Sequence, residues 1–220
     1  MWHQYTRTVL LGRKLLLSNE ALLHKQLELE TLAERDTLTG LYNRRKFMAL
    51  AAQELTRTLR IPSSVGVLMV DLDFFKQVND QWGHPVGDQV LQEVASRLLA
   101  NVRSTDTVAR MGGEEFIVLT PDTDRAGALA LAEKLRLALR ECPLQLADRA
   151  VLITASFGVT GLGPQQHTTL EALYSAADQA LYVAKKQGRD RVQWEDPLNT
   201  ETMVGESTVN ASGLGPEGNS

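Results

Sequence analysis

Asp71-Leu72-Asp73 ends a near-continuous apolar run at residues 65–70, and it is the first place in the chain where side chains fit for chemistry gather. Carboxylates two residues apart on an extended strand point to one side of the sheet, and burying both without a counter-charge is costly. They call for a cation. A hard divalent ion such as Mg²⁺ suits carboxylate and carbonyl oxygens and also takes oxygens from a substrate phosphate; the plain alternative is a pair of solvated acids at a strand end. A second cluster, Gly112-Gly113-Glu114-Glu115, reads as a hairpin turn whose paired glycines let backbone N–H groups come close to an anion. Any tight hairpin wants glycine, but two adjacent acids beside it repel each other unless a cation intervenes. If this hairpin lies beside the 65–70 strand, Glu114 meets Asp71, and metal ions shared between them would serve in-line attack at phosphorus.

A third set is Asn79, His84 and Asp88, placed over a turn with Gly83 and Gly87 that runs into a helix. Amide and carboxylate together match the donor and acceptor pattern of a purine edge, and a carboxylate accepting from N1–H and an exocyclic amine favours guanine. Asn79-Asp80 is also ordinary turn chemistry, and Asp88 an ordinary first-turn helix acid. The fourth set, Lys185, Lys186, Arg189 and Arg191, lies around a helix C-terminus, where the dipole alone explains some basic residues. Only a meeting with the acidic cluster would make them phosphate ligands.

These residues need a scaffold, and the sequence patterns supply one. Residues 43–59 have helical spacing, 65–70 is a buried central strand, and 86–102 returns to helix. Segments 107–110 and 116–119 flank the glycine turn as antiparallel strands. Asp124 caps an alanine- and leucine-rich helix to about Arg140, 151–160 is a strand, 170–187 a helix stopped by Gly188, and 191–194 a closing strand. Helices combined with an antiparallel hairpin predict an α+β sandwich with a mostly antiparallel central sheet. Before it, Leu15, Leu22 and Leu29 recur every seven residues in a proline-free stretch read as one long N-terminal helix over 1–35. Ser18 and Lys25 break its seam, leaving two readings: a parallel dimerisation stalk or an amphipathic helix packed on its own domain. Residues 195–220 hold five acids, no Lys or Arg and many small polar residues, which predicts a disordered acidic tail.

The composition narrows the function classes. With 220 residues, one cysteine, 43% hydrophobic and 23% charged residues, the chain is an ordinary globular protein with length for one good core. A net charge of -4 gives no global footprint for nucleic acid, so an anionic ligand must meet local cations. Cys142, alone and without catalytic neighbours, reads as an inert thiol in a reducing compartment. No stretch approaches the roughly 20 apolar residues of a membrane span. The expectation is therefore a cytoplasmic protein, or the soluble part of a larger membrane-attached one, with no membrane segment within this chain.

In order along the chain, the segments 36–45, 71–80, Gly83-His84, Gly87-Asp88, 110–116, 156–159 and 177–189 together resemble the GGDEF family of diguanylate cyclases, with the naming motif in its Glu-Glu variant. The resemblance covers residues 36–194. It implies a palm-like, ferredoxin-like fold related to nucleotidyl cyclases and a reaction that condenses two GTP into cyclic di-GMP and two pyrophosphates. It implies that Asp71, the Leu72 carbonyl and Glu114 bind Mg²⁺, two ions per active site with Mn²⁺ as a substitute. Glu114, Glu115 and Lys76 become the catalytic residues; Asn79, His84, Asp88, Gly112, Gly113, Lys185 and Arg189 bind substrate; Asp73 supports the metal site. Arg103 and Asp106 match the Arg-x-x-Asp that the family uses for inhibition by its product, although local sequence alone gives a surface ion pair. Asp190 and Pro85 are the departures, at positions that carry no ligand.

One guanine pocket per chain cannot present both reactants, so catalysis is expected across a homodimer of half-sites. Two other classes stay open at this level: a receptor that keeps the fold and binds cyclic di-GMP without turnover, and a different nucleotidyl cyclase or polymerase-like enzyme.

Overall fold

The computed structural model describes Lys25 and residues 34–141, 143–146 and 149–198. The leucine row of the expected N-terminal helix, Cys142 and residues 199–220 of the expected tail lie outside the described residues. Arg35 itself forms an antiparallel bridge with Tyr42 rather than extending a helix.

The fold is organised around β2 (Val65–Leu72), all eight residues of which are buried. A strand covered on both faces must be apolar at odd and even positions alike, which is why it reads as a continuous run instead of alternating. β2 pairs antiparallel with β4 (Glu115–Pro121) on one side and β7 (Ala155–Leu162) on the other. β3 (Thr107–Gly112) adds antiparallel to β4, and two short strands, β1 (Tyr42–Asn43) and β8 (Val192–Trp194), add parallel at the edges. The order is β1-β3-β4-β2-β7-β8. Helices α1 (Arg44–Arg60), α2 (Phe75–Trp82), α3 (His84–Asn101), α4 (Arg125–Arg140) and α5 (Leu170–Lys186) cover its faces. Taking β2, β3, β4 and β7 with the helices between them gives the βαββαβ arrangement of the ferredoxin-like palm, as expected.

Period-two alternation divides the core into two layers. Leu68, Val70 and Leu72 pack with α3 and α4, through residues such as Val90, Val94 and Leu135. Val65, Val67 and Met69 pack with α1 and α5, through Phe47, Leu173 and Leu181. Continuing the alternation puts Asp71 on the α5 side. Phe47, Phe116 and Phe157 are fully buried, and each contributes up to about 3 kcal/mol of hydrophobic stabilisation. The side chains of Asn43, Asp124 and Thr169 accept from the N–H groups of Lys46, Gly127 and Ala172 and so start α1, α4 and α5, the Asp124 cap as expected.

Three local expectations change. Asn79, read as part of a turn, is helical, in α2. The single strand expected over 151–160 is split: β5 (Leu144–Leu146) and β6 (Arg149–Val151) form a separate hairpin, residues 152–154 have no regular structure, and β7 begins at Ala155. Residues 195–198, at the head of the expected tail, stay on the sheet: the Glu195 N–H donates to the Val159 carbonyl, the Thr160 hydroxyl donates to the Glu195 carbonyl, and Leu198 packs against the α5-side core. No helix among the described residues is long and apolar enough to cross a membrane.

Candidate active site

The site forms where β2 ends. Asp71 pairs in register with Glu115 of β4 and Ser156 of β7, and the Leu72 N–H donates to the Glu114 carbonyl at 3.4 Å. Two segments about forty residues apart in sequence are thus joined by one ladder, bringing Asp71 and Glu114 together. Their charges confirm the proximity. Burial pushes the Asp71 carboxyl above its ordinary value, Lys185 and Arg189 oppose that, and Asp73 adds to it. Burial also raises Glu114, helped by the Asp71 and Glu115 charges and opposed by Lys185. Acid groups held above their usual range are short of positive charge.

One cation already answers that need: Lys185 Nζ, from the last turn of α5, lies 2.8 Å from Asp71 Oδ2. This is the meeting of basic cluster and acidic site that the sequence left open. Arg189 joins it, its guanidinium 4.7 Å from the centre of the Phe74 ring and its charge acting on Asp71. The other two basic residues go elsewhere, Lys186 onto the Tyr182 ring and Arg191 onto the Arg189 carbonyl.

Asp73 corrects the sequence reading. It lies beyond the end of β2, 4% exposed, and is no unpaired acid awaiting a cation. Its carboxylate accepts from the Thr154 and Ser156 hydroxyls at 2.8 and 2.7 Å and from the Asp190 N–H at 3.0 Å. Three donors satisfy it, and it ties the start of β7 and the loop after α5 to the end of β2.

Asn79 and Asp88 stand on neighbouring helices that pack together, α2 and α3. Gly87 makes the approach possible: a Cβ there would collide with Asn79 Oδ1 and lie 3.2 Å from the Phe75 ring. His84 is exposed at the first position of α3, and Lys76 is exposed on the first turn of α2. At the hairpin, Gly112 and Gly113 have φ of 143° and 53°, values that favour glycine, and the β3–β4 register shifts between Arg110 and Gly112.

Spacing gave no functional role to the residue that holds this hairpin. Arg110 donates from Nε and one terminal nitrogen to the Gly113 carbonyl at 3.0 and 2.7 Å, and from the other to Asp36 at 3.1 Å. Asp36 in turn accepts from the N–H and hydroxyl of Thr39. Partial burial works against the Asp36 charge, but the Thr39 donors and Arg110 outweigh it and its pKa is lowered. A carboxylate lowered on folding adds stability that is full above its unfolded pKa, near 3.8, and is lost as pH falls through the folded value. The thermal midpoint of Asp36→Asn should therefore lie below that of wild type at neutral pH, with the gap closing below about pH 4 in a melting series.

Arg103 and Asp106 are at the far end of β3, about 20 Å along the strand from the glycine turn. They are not a side-chain ion pair: Asp106 Oδ2 accepts from the Arg103 backbone N–H at 2.9 Å. Both line a cavity of about 390 Å³ with Asn101, Leu131 and Lys134. Among the described residues no cluster of three or more His, Cys, Asp or Glu side chains forms a metal cage. Two carboxylates do suit Mg²⁺, which keeps waters and takes phosphate oxygens as further ligands.

Comparison with known proteins identifies the family of the fold. The family described as "Diguanylate cyclase, GGDEF domain" matches residues 33–191. The response regulator PleD of Caulobacter vibrioides is 43% identical over 163 residues, 73% of this chain and 36% of that protein. Diguanylate cyclase DgcP of Pseudomonas aeruginosa is 40% identical over 158 residues, 72% of this chain and 23% of that protein. The chain therefore spans well under half the length of these relatives. Among solved structures, the coiled coil and GGDEF domain of DgcB from Caulobacter crescentus, in complex with c-di-GMP, superposes with a TM-score of 0.75 at 28% identity, covering 81% of this chain and 94% of that one. A family match over most of the described fold, with the motif residues converging at the end of β2, places this chain in the GGDEF family of diguanylate cyclase domains.

Proposed function

We propose that the chain condenses two molecules of GTP into cyclic di-GMP with release of two pyrophosphates. The observation that carries this reading is the convergence of Asp71, Glu114 and Lys185 at one end of the sheet, with both carboxyls raised by burial and by neighbouring acids, Asp73 acting on Asp71 and Asp71 and Glu115 acting on Glu114. Asp71, Glu114 and the Leu72 carbonyl would hold the divalent ion, Mg²⁺ or Mn²⁺, which when bound supplies Lewis-acid activation of the attacking hydroxyl and neutralises the triphosphate. Asn79 and Asp88 read the guanine edge and His84 lines that pocket. The Gly112-Gly113 backbone, Lys76, Lys185 and Arg189 face the phosphates and stabilise the charge that grows on the leaving pyrophosphate.

In each half-reaction the 3′-hydroxyl oxygen of one nucleotide bonds to the α-phosphorus of the other, and the bond from that phosphorus to the bridging oxygen of the β-phosphate breaks. Glu114, assisted by Glu115, takes the hydroxyl proton. Two such steps close the ring. One nucleotide per chain means that two chains must face each other, and pairing through residues 1–35 would raise the effective concentration of the half-sites.

Purified protein with Mg²⁺ should release pyrophosphate from GTP and far less from ATP, because an adenine presents the wrong donors to Asp88. Equal release from both would refute the guanine assignment. Gly87→Ala displaces the Asn79 amide and should raise the KM for GTP about tenfold with a smaller change in kcat. Arg103 and Asp106, with the cavity they line, form the product-inhibition site. Arg103→Ala should raise the concentration of cyclic di-GMP needed for half-inhibition by about tenfold or more, read in a turnover assay with added product.

A further inference from the structure

We propose that Arg136 is a positioning residue for the phosphate end of the active site, acting through Asp190 on Arg189; the inference rests on the reading of that site as a nucleoside triphosphate site. Arg136 is on α4, 8% exposed, on the opposite side of the sheet from α5. A buried guanidinium is retained only where its donors are fully used. Glu133 takes two of them at 2.9 and 2.7 Å, and the Asp190 carboxylate takes a third at 2.6 Å. Arg140 Nη1 lies 3.1 Å from the other oxygen of Asp190. The Asp190 side chain is thus gripped by two arginines of α4 while its own N–H donates to Asp73.

What this grip holds is a strained loop. Gly188, Arg189 and Asp190 have successive φ values of 116°, 62° and 46°. Glycine adopts such a backbone freely, but two consecutive residues with side chains do so only when surrounding contacts over-determine them. Released, the loop would relax toward ordinary backbone, and Arg189 would turn away from the Phe74 ring and from Asp71, whose charge it now balances. Arg136 touches none of the proposed ligands and acts through the residue that follows Arg189.

A merely structural ion pair would weaken every ligand equally or only lower stability. Positioning of Arg189 instead predicts a loss that depends on the number of phosphates. Calorimetric titrations with Mg²⁺ and an α,β-methylene analogue of GTP, set beside GMP, separate the two. Arg136→Met and Asp190→Ala should each weaken the triphosphate analogue about tenfold and leave GMP within about twofold of wild type. Asp190→Asn keeps an oxygen for Arg136 and tolerates the left-handed backbone, so it should bind almost as wild type. Arg136→Met in an Arg189→Ala background should cost nothing more.

Equal weakening of GMP and the analogue, or additive losses in the double variant, overturns the proposal. Where Arg136→Met fails to fold, the Asp190→Ala and Asp190→Asn pair decides alone: the same affinity for the analogue in both overturns it, and recovery only in Asn supports it. Wild-type protein that binds the analogue no better than GMP refutes the triphosphate site itself, an outcome distinct from these.

Discussion

Replacing Glu114 by Gln is expected to lower turnover of GTP by about 10³-fold or more, some 4 kcal/mol of transition-state stabilisation, with the fold intact. The amide keeps the shape of the side chain, and Glu114 is part-exposed in a hairpin turn, so its packing cost is small. Its proposed role depends on its charge. Burial and Asp71 already hold this carboxyl above its ordinary pKa, so removing the negative charge relieves repulsion in the empty site. The variant should melt at or slightly above the wild-type temperature in the absence of divalent ions, and it should lose the stabilisation that Mg²⁺ with nucleotide gives wild type. Loss of stability together with loss of activity would assign Glu114 to the fold instead. A receptor that binds cyclic di-GMP without turnover would show no change in activity, because there would be none to lose.

The second large effect is on the scaffold. Gly158→Ala should destabilise the protein by about 3 kcal/mol or more, lowering the thermal midpoint by ~10 °C. Gly158 lies in β7 where α5 crosses it, and a Cβ would collide with the Ala177 carbonyl oxygen and the Leu181 N–H nitrogen. These are backbone atoms of a helix, so no rotamer change relieves the overlap and α5 must move as a body. Because α5 delivers Lys185 to Asp71, activity should fall further than the loss of folded protein explains. Turnover per folded molecule equal to that of wild type would show that Lys185 does not depend on this contact.

The strands and helices with strong periodicity were legible from residues alone, as was the cap at Asp124, whereas Asn43 falls inside the helix read over 43–59 and proves to be its cap. The alternation of elements together with the antiparallel hairpin gives an α+β sandwich with a mostly antiparallel sheet; the ferredoxin-like order came from the family resemblance, and the strand order agrees with it. Asp71 and Glu114 could be paired from sequence because one ends an apolar strand and the other follows a glycine turn, and β2 against β4 is the simplest way to join them. Helix α2 was missed because Asn79-Asp80 and Gly83 imitate a turn, and packing of Phe75 against α3 overrides that local preference. Asp73 was misjudged for a similar reason: its partners Thr154, Ser156 and Asp190 lie far along the chain, and no spacing rule reports a contact over eighty or more residues. The Arg110 clamp on Asp36 and the Arg136 grip on Asp190 are long-range ion pairs of the same kind. Each of them looks like a surface charge until the fold closes it.

The identity of the product is the most direct test of the proposed condensation. Incubating the protein with GTP and Mg²⁺ and weighing the nucleotide products by mass spectrometry should give cyclic di-GMP with two pyrophosphates per molecule formed, and none from Glu114→Gln. Recovery of unchanged GTP, or of a cyclic mononucleotide, from folded and dimeric wild-type protein would contradict it.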